Sequence, residues 1–321
     1  MNAPGNAPGN APGNDVVVDA SRDSIRRGST SFAAAARLFH PQMREDVYML
    51  YAWCRHCDDE IDGQVMGHGA VGLDPVLAER KLAELEDKTR RAMAGQATDD
   101  AAFAAFQRVV QRHGIPAQHP LDLLQGFRMD VEGRSYCSLQ DTLLYAYHVA
   151  GVVGVMMAQV MGVRDRDTLR RASDLGLALQ LTNIARDVIE DAKGGRIYLP
   201  ADWLGAATTP AAVMDPANRT IVFAATERLL AGAEPYYASA RWGLKSLGFR
   251  SAWAVAAALR VYRRIGLKVR AMGPTGMDRR ASTGKAAKLA LVLQGGVVAA
   301  RAVTLDGRQR EPDRAGLWAP F

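Results

Sequence analysis

Two short aspartate-rich stretches, each beside a strongly apolar run, constrain this chain more than any other feature of its 321 residues. The first is Cys57-Asp58-Asp59-Glu60-Ile61-Asp62, preceded by Val47, Tyr48, Met49, Leu50, Tyr51 and Trp53. The second is Asn183-Ile184-Ala185-Arg186-Asp187-Val188-Ile189-Glu190-Asp191, whose start is surrounded by Leu175, Leu177, Leu179, Leu181 and Ile184. At 3.6 residues per turn a step of four advances about 400°, so Asp58 and Asp62 share one helix face. Asn183, Asp187 and Asp191 drift by only about 80° along another. Like charges four apart on a helix repel, and a bound cation inverts that penalty.

Composition alone places some acidic pairs at this spacing, because 34 residues are Asp or Glu; a solvated acidic face is therefore the alternative reading of either stretch. The apolar setting argues for a cleft. Mg²⁺ is usually held by one or two carboxylates together with waters and substrate phosphates, which suits two sparse acidic faces better than a closed cage. The expected metal set is Asp58, Asp62, Asn183, Asp187 and Asp191, with Mg²⁺ or Mn²⁺ as the ion. Asn183 keeps an oxygen ligand while reducing repulsion within its triad.

Apolar residues recur at three and four spacing almost throughout, and no series of alternating β-branched runs interrupts them, so the fold class is all-α. Breaks fall at His40-Pro41, Gly67 to Gly72, Gly114-Ile115-Pro116, Gly194-Gly195, Pro200, Thr209-Pro210 and Gly273-Pro274. Residues 1–18, with Asn-Ala-Pro-Gly repeated three times, read as a disordered low-complexity tail rather than a secretory signal. No Pro/Ser-rich linker divides the rest of the chain, so residues 19–300 read as one domain and 301–321 as a poorly ordered basic tail. The uncharged run Tyr145 to Val163 could span a bilayer by length. It reads instead as a core helix, with Gly151 and Gly154 admitting a close neighbour and Met156, Met157 and Met161 filling the core.

A net charge of +6 and a pI near 9.3 suit an anionic substrate or membrane surface. Nucleic acid is disfavoured, since no recognition motif for it is present. Three cysteines imply no disulfide framework and a reducing, cytoplasmic setting; Cys54 and Cys57 form a CxxC without a second ligand pair for zinc. Basic groups accompany the acidic ones. Arg55 lies one turn before Asp58, Arg186 precedes Asp187, and Arg196 and Tyr198 come after the second stretch. Arginine forks suit phosphate oxygens, with a surface ion pair as the alternative role for each. Ser29 and Ser31 before Phe32 could cap a helix or help to hold an anion.

The stretches Tyr51 to Asp59, Gly126-Phe127-Arg128-Met129-Asp130, Tyr147 to Gly154, Gln180 to Asp187 and Arg196-Ile197-Tyr198-Leu199-Pro200 resemble the squalene/phytoene synthase family, from about Ser21 through Lys268. The resemblance implies a class I isoprenoid synthase helical bundle with a central apolar pocket, the acidic helices at its mouth. It implies that two geranylgeranyl diphosphates join head to head through a cyclopropyl diphosphate and rearrange to phytoene, losing both diphosphates. Asp58, Asp62, Asn183, Asp187 and Asp191 match the family's metal positions. Arg55, Gln180, Arg186 and Tyr262 match contacts to diphosphate or to the reacting carbons, and Ser29 and Ser31 match part of the substrate entrance.

Ionising an allylic C–O bond loads negative charge onto the leaving diphosphate, which divalent ions stabilise as Lewis acids. Tyr51, Phe32 and Tyr262 could shield and stabilise the resulting cations. Asp58, Asp62, Asp187, Asp191, Tyr51 and Tyr262 are the expected catalytic groups. Ser29, Ser31, Phe32, Ala36, Arg55, Tyr145, Gln180, Arg186, Arg196 and Tyr198 are the expected substrate-binding groups. No GxGxxG fingerprint comes after a strand, so no NADPH is expected and a proton-losing product is favoured over a reduced one. Ala36, one turn after Phe32, would leave room for a C20 chain; a C15-using squalene or dehydrosqualene synthase is the alternative, and a non-enzymatic relative a more distant one. A hydrocarbon product implies peripheral membrane contact and hand-over to downstream carotenoid enzymes. Arg279, Arg280, Lys285, Lys288, Arg308, Arg310 and Arg314 could meet anionic headgroups, unless Met272 to Lys285 forms a flap over the diphosphate or the basic tail is merely solvated.

Overall fold

The computed structural model describes residues 16–63, 74–305 and 312–320, with the side chains of Thr30 and Ser31 outside that description. The Asn-Ala-Pro-Gly repeats, the Gly67 to Gly72 break, Arg308 and Arg310 therefore lie outside the described residues. The described residues include thirteen α-helices: α1 (Val16–Gly28), α2 (Thr30–Ala36), α3 (Pro41–Asp62), α4 (Pro75–Met93), α5 (Ala101–His113), α6 (Gln118–Val131), α7 (Leu139–Ala146), α8 (Val152–Val160), α9 (Arg166–Lys193), α10 (Pro210–Met214), α11 (Arg219–Gly243), α12 (Phe249–Met272) and α13 (Lys285–Thr304). Among the described residues there is no strand.

Local chemistry sets the ends of the two acidic helices. Pro41 opens α3, where a missing N–H costs nothing, and Gly63 closes it at φ 60°, the left-handed region in which a Cβ would be strained. At α9 the Asp165 carboxylate accepts from the Thr168 N–H at 2.8 Å, and Gly195 turns the chain away at φ 81°. Ser138 and Asp141 form a reciprocal capping box on α7.

Helix α9 is the central element, packed on α8, α11 and α12. Leu177, Ala178 and Leu181 are almost wholly buried along it, each leucine contributing roughly 1.5–3 kcal/mol. The run from Tyr145 forms the end of α7, a π-helical turn (Tyr147–Gly151) and α8, and most of it is inside the protein. Glycines on it and on α9 are required by contact: a Cβ on Gly154 would lie 2.3 Å from the Ala172 carbonyl oxygen, and one on Gly176 of α9 would lie 2.2 Å from that of Ala150. The two backbones thus touch. Met156 is buried as expected, but Met157 and Met161 face a cavity, so they form wall rather than filling.

One large apolar core extends from Val18 to Ala281, and a smaller one joins the end of α8 to α12 and α13. The boundaries differ from those expected at both ends. Helix α1 starts at Val16, where Val18 is already buried and Asp19 complements the helix N-terminus. Beyond residue 300, α13 continues to Thr304, and the segment 312–320 is pinned rather than loose. Arg314 holds Asp174 through two hydrogen bonds of 2.8 and 2.5 Å, Arg171 donates to the Pro312 carbonyl at 2.9 Å, and Trp318 lies 5.9 Å from the Tyr147 ring. A buried carboxylate needs that partner, a requirement that basic composition alone does not reveal.

Candidate active site

A cavity of about 680 Å³ runs between α2, α3, α6, α8, α9 and α12. Its walls are largely apolar, including Phe32, Ala36, Val149, Val153, Leu175 and Leu179. Ser29 caps α2 by accepting from the Phe32 N–H at 3.3 Å and also lines the cavity. Phe32, Tyr51 and Tyr262 form an aromatic cluster, with Phe32 centred 6.4 Å from Tyr51 and 5.7 Å from Tyr262. Gly28 permits this arrangement, because a Cβ there would stand 2.4 Å from the Tyr51 hydroxyl.

One part of the cavity is charged. On α3, Arg55 pairs with Asp58 at 3.0 Å and with Asp59 at 2.7 Å. On α9, Arg186 forks onto the neighbouring Asp187, which also receives Arg280 at 3.0 and 3.2 Å. Arg196 reaches across from the turn after α9 to Asp62 at 2.8 Å. Asp58, Asn183, Gln180, Tyr145, Arg55 and Arg186 line the cavity, whereas Asp62, Asp187, Asp191, Arg196 and Tyr198 do not. Ser31 was expected beside Ser29, but its side chain lies outside the described residues.

The acids are crowded and partly desolvated. Burial pushes Asp58 up to about 7 despite the pull of Arg55. Burial and the charge of Asp187 push Asp191 up to about 8. Among the described residues, no three His, Cys, Asp or Glu side chains converge closely enough to hold a metal by themselves. Asp58, Asp59, Asp62 and Asp187 are instead matched by arginines. One oxygen is left over: Asn183 Oδ1 is buried without a hydrogen-bond partner.

Two groups that the helix spacing did not single out belong here. Asp130 lines the cavity and accepts from the Tyr198 hydroxyl at 2.9 Å and the Tyr145 hydroxyl at 3.0 Å, the two rings stacked 4.6 Å apart. Burial raises its carboxyl to about 6. The available signal was its register, since Leu123, Phe127 and Asp130 lie on one face of α6 and all three line the cavity. Arg280 is the other. Its pairing with Asp187 gives the segment between α12 and α13 a contact at the site.

The sequence matches the Squalene/phytoene synthase family over residues 25–287, somewhat beyond Lys268 and so including Arg280. It is 51% identical over 292 residues to the 15-cis-phytoene synthase of Enterobacter agglomerans, covering 91% of this chain and 98% of that one. It is also 51% identical over 302 residues to the 15-cis-phytoene synthase of a Paracoccus species, covering 94% and 97%. Among solved structures, a dehydrosqualene synthase in complex with ligand superposes with a TM-score of 0.77 at 26% identity, covering 88% of this chain and 95% of that one. A squalene synthase from Alicyclobacillus acidocaldarius shares the fold, with a TM-score of 0.66 at 24% identity and coverage of 81% and 94%. Paired acidic helices at an apolar cavity and the match over most of the sequence lead to one conclusion: this chain belongs to the squalene/phytoene synthase family of isoprenoid synthases.

Proposed function

We propose that this chain condenses two molecules of geranylgeranyl diphosphate head to head into phytoene, releasing two diphosphates and a proton. The observation that carries the reading is an apolar cavity of about 680 Å³ with arginines and paired acids gathered along one part of its wall. Relatives at about half identity that bear the name 15-cis-phytoene synthase support the C20 substrate.

The donor set fits a divalent cation. It is all oxygen, it comes from two facing helices, and Asn183 Oδ1 is buried without a partner. Asp58 and Asp62 would hold the ion from α3, and Asn183, Asp187 and Asp191 from α9, with phosphate oxygens and water completing the shell. Bound Mg²⁺ would supply Lewis-acid stabilisation of the departing diphosphate. Without substrate, Arg55 and Arg186 offset the acidic charge. With substrate, the same guanidinium groups and Arg280 would turn to phosphate oxygens, for which a planar fork is well shaped. Phe32, Tyr51 and Tyr262 would face the allylic cations, and the aliphatic walls would keep water from capturing them. Tyr145 and Tyr198 would fix Asp130 at the edge of this charged region, and Ala36 would leave depth for the hydrocarbon tails. No nicotinamide enters the reaction. A hydrocarbon of this size would leave into lipid, so the protein would work at a membrane surface, where enzymes that consume phytoene could receive it.

Incubation of the purified protein with geranylgeranyl or farnesyl diphosphate, with and without Mg²⁺ and NADPH, tests the reading. A C40 hydrocarbon that needs metal but not NADPH is expected. A C30 product would move the assignment to the shorter-chain branch, and silence with both substrates would revive the non-enzymatic alternative.

A further inference from the structure

Helix α13 is largely apolar, yet the described residues cover only one side of it. Its inner face is built for close contact with α12: Gly295, Ala299 and Ala302 are buried, and a Cβ on Gly295 would lie 2.9 Å from the Ala257 nitrogen. The Trp253 indole N–H donates to the Val292 carbonyl at 2.7 Å, and Arg260 donates to Gln294. The outer face carries Leu289, Leu293 and Val297, which are 62%, 60% and 73% exposed, with the exposed alanines Ala286, Ala290 and Ala300 among and flanking them. Spacings of three and four align these residues in one stripe along a 20-residue helix about 30 Å long. A helix this apolar is normally buried, and among the described residues none covers this outer face.

Charge identifies that neighbour. From Arg279 to Leu305 there is no acidic residue, whereas Arg279, Arg280, Lys285, Lys288 and Arg301 are basic. Lys285 and Lys288 stand at one end of the stripe and Arg301 near the other, where long side chains can lie along lipid while their heads reach phosphate. A second copy of this chain would bring the same positive charge against it. A full crossing of the bilayer would require α13 to abandon the close contact through Gly295 and Ala299. We propose that the outer stripe of α13 lies in the interfacial plane of an anionic lipid bilayer and docks the protein there. The proposal deepens the membrane placement of the proposed reaction by naming the surface; its physical basis in α13 is independent of the substrate assigned.

The test uses the full chain, co-sedimented with phosphatidylcholine vesicles with and without phosphatidylglycerol. Binding to the anionic vesicles and release by high salt are expected. The exposed double variant Leu293→Glu/Val297→Glu should bind about a hundredfold more weakly, and Leu293→Ala/Val297→Ala should fall between it and the parent. All three proteins should make hydrocarbon at equal rates in detergent, because neither position lines the cavity. Undiminished vesicle binding by the glutamate variant overturns the proposal, as does absence of binding by the parent. A dimer that the glutamate substitutions convert to monomer, with no vesicle binding, overturns it in favour of self-association. Vesicle binding through the stripe without hydrocarbon synthesis would sink the proposed reaction alone, and synthesis in detergent without vesicle binding would sink the docking surface alone.

Discussion

Replacing Arg314 by alanine removes a two-point ion pair from Asp174, a carboxylate with no exposed surface. The Ser239 hydroxyl still donates to Asp174, but Arg171 is committed to Ser239 and to the Pro312 carbonyl. Breaking a buried pair from one side costs about 3–5 kcal/mol, because the remaining charge stays desolvated. With about 2–4 °C lost per kcal/mol for a chain of a couple of hundred residues, the melting temperature should fall by roughly 6–20 °C, nearer the lower end for a larger protein. Thermal unfolding monitored by circular dichroism reads the loss. Arg314→Lys keeps the charge but not the fork and should recover only part of it. Adding Asp174→Asn to Arg314→Ala should recover part as well, since it removes the unpaired charge. An Arg314→Ala protein that melts within a degree of the parent would refute the claim that the C-terminal segment is held by this pair.

Other consequences can be checked independently. Asp187→Asn, which leaves α9 packing intact, should lower turnover about 100-fold or more and weaken the Mg²⁺ response, read by diphosphate release. Ala36→Phe should fill the cavity beside Phe32 and reduce C40 product about tenfold or more, with any remaining synthesis shifted to C30 from farnesyl diphosphate; undiminished C40 synthesis would remove Ala36 from the pocket argument. The acids predict a pH effect on the metal-free protein. Asp58 and Asp191, raised to about 7 and 8, contribute stability that is complete below their unfolded range near 4 and is lost as pH rises through 7 and 8. Melting in EDTA should therefore fall between pH 6 and 9, while Mg²⁺ with inorganic diphosphate should stabilise more strongly at pH 8 than at pH 6, because metal binding takes the deprotonated acids.

Groups sharing one helix were legible in the sequence, because helical spacing is a local rule. Asp58 with Arg55 on α3, and Asp187 with Arg186 on α9, could be placed from it directly. The punctuation at Pro41, Gly114, Gly195 and Gly273 was equally local, each being a proline or a glycine in the left-handed region. What escaped is nonlocal. Asp130 meets Tyr198 across 68 residues and Arg280 meets Asp187 across 93, and no periodicity links positions so far apart. The anchoring of Arg314 is nonlocal in the same way, since basic composition does not reveal its partner Asp174 140 residues away in the core. Arg196 and Tyr198 illustrate an intermediate case: both come to the charged end of the cavity, but in this state they are engaged by Asp62 and Asp130.

The most direct test of the central claim is stoichiometry. Purified protein supplied with geranylgeranyl diphosphate and Mg²⁺, in detergent and without NADPH, should release two diphosphates for every C40 hydrocarbon formed, with neither appearing when EDTA replaces the metal. Diphosphate released with water-captured alcohols in place of a C40 hydrocarbon would contradict the account, because the cavity would then ionise its substrate without joining two chains.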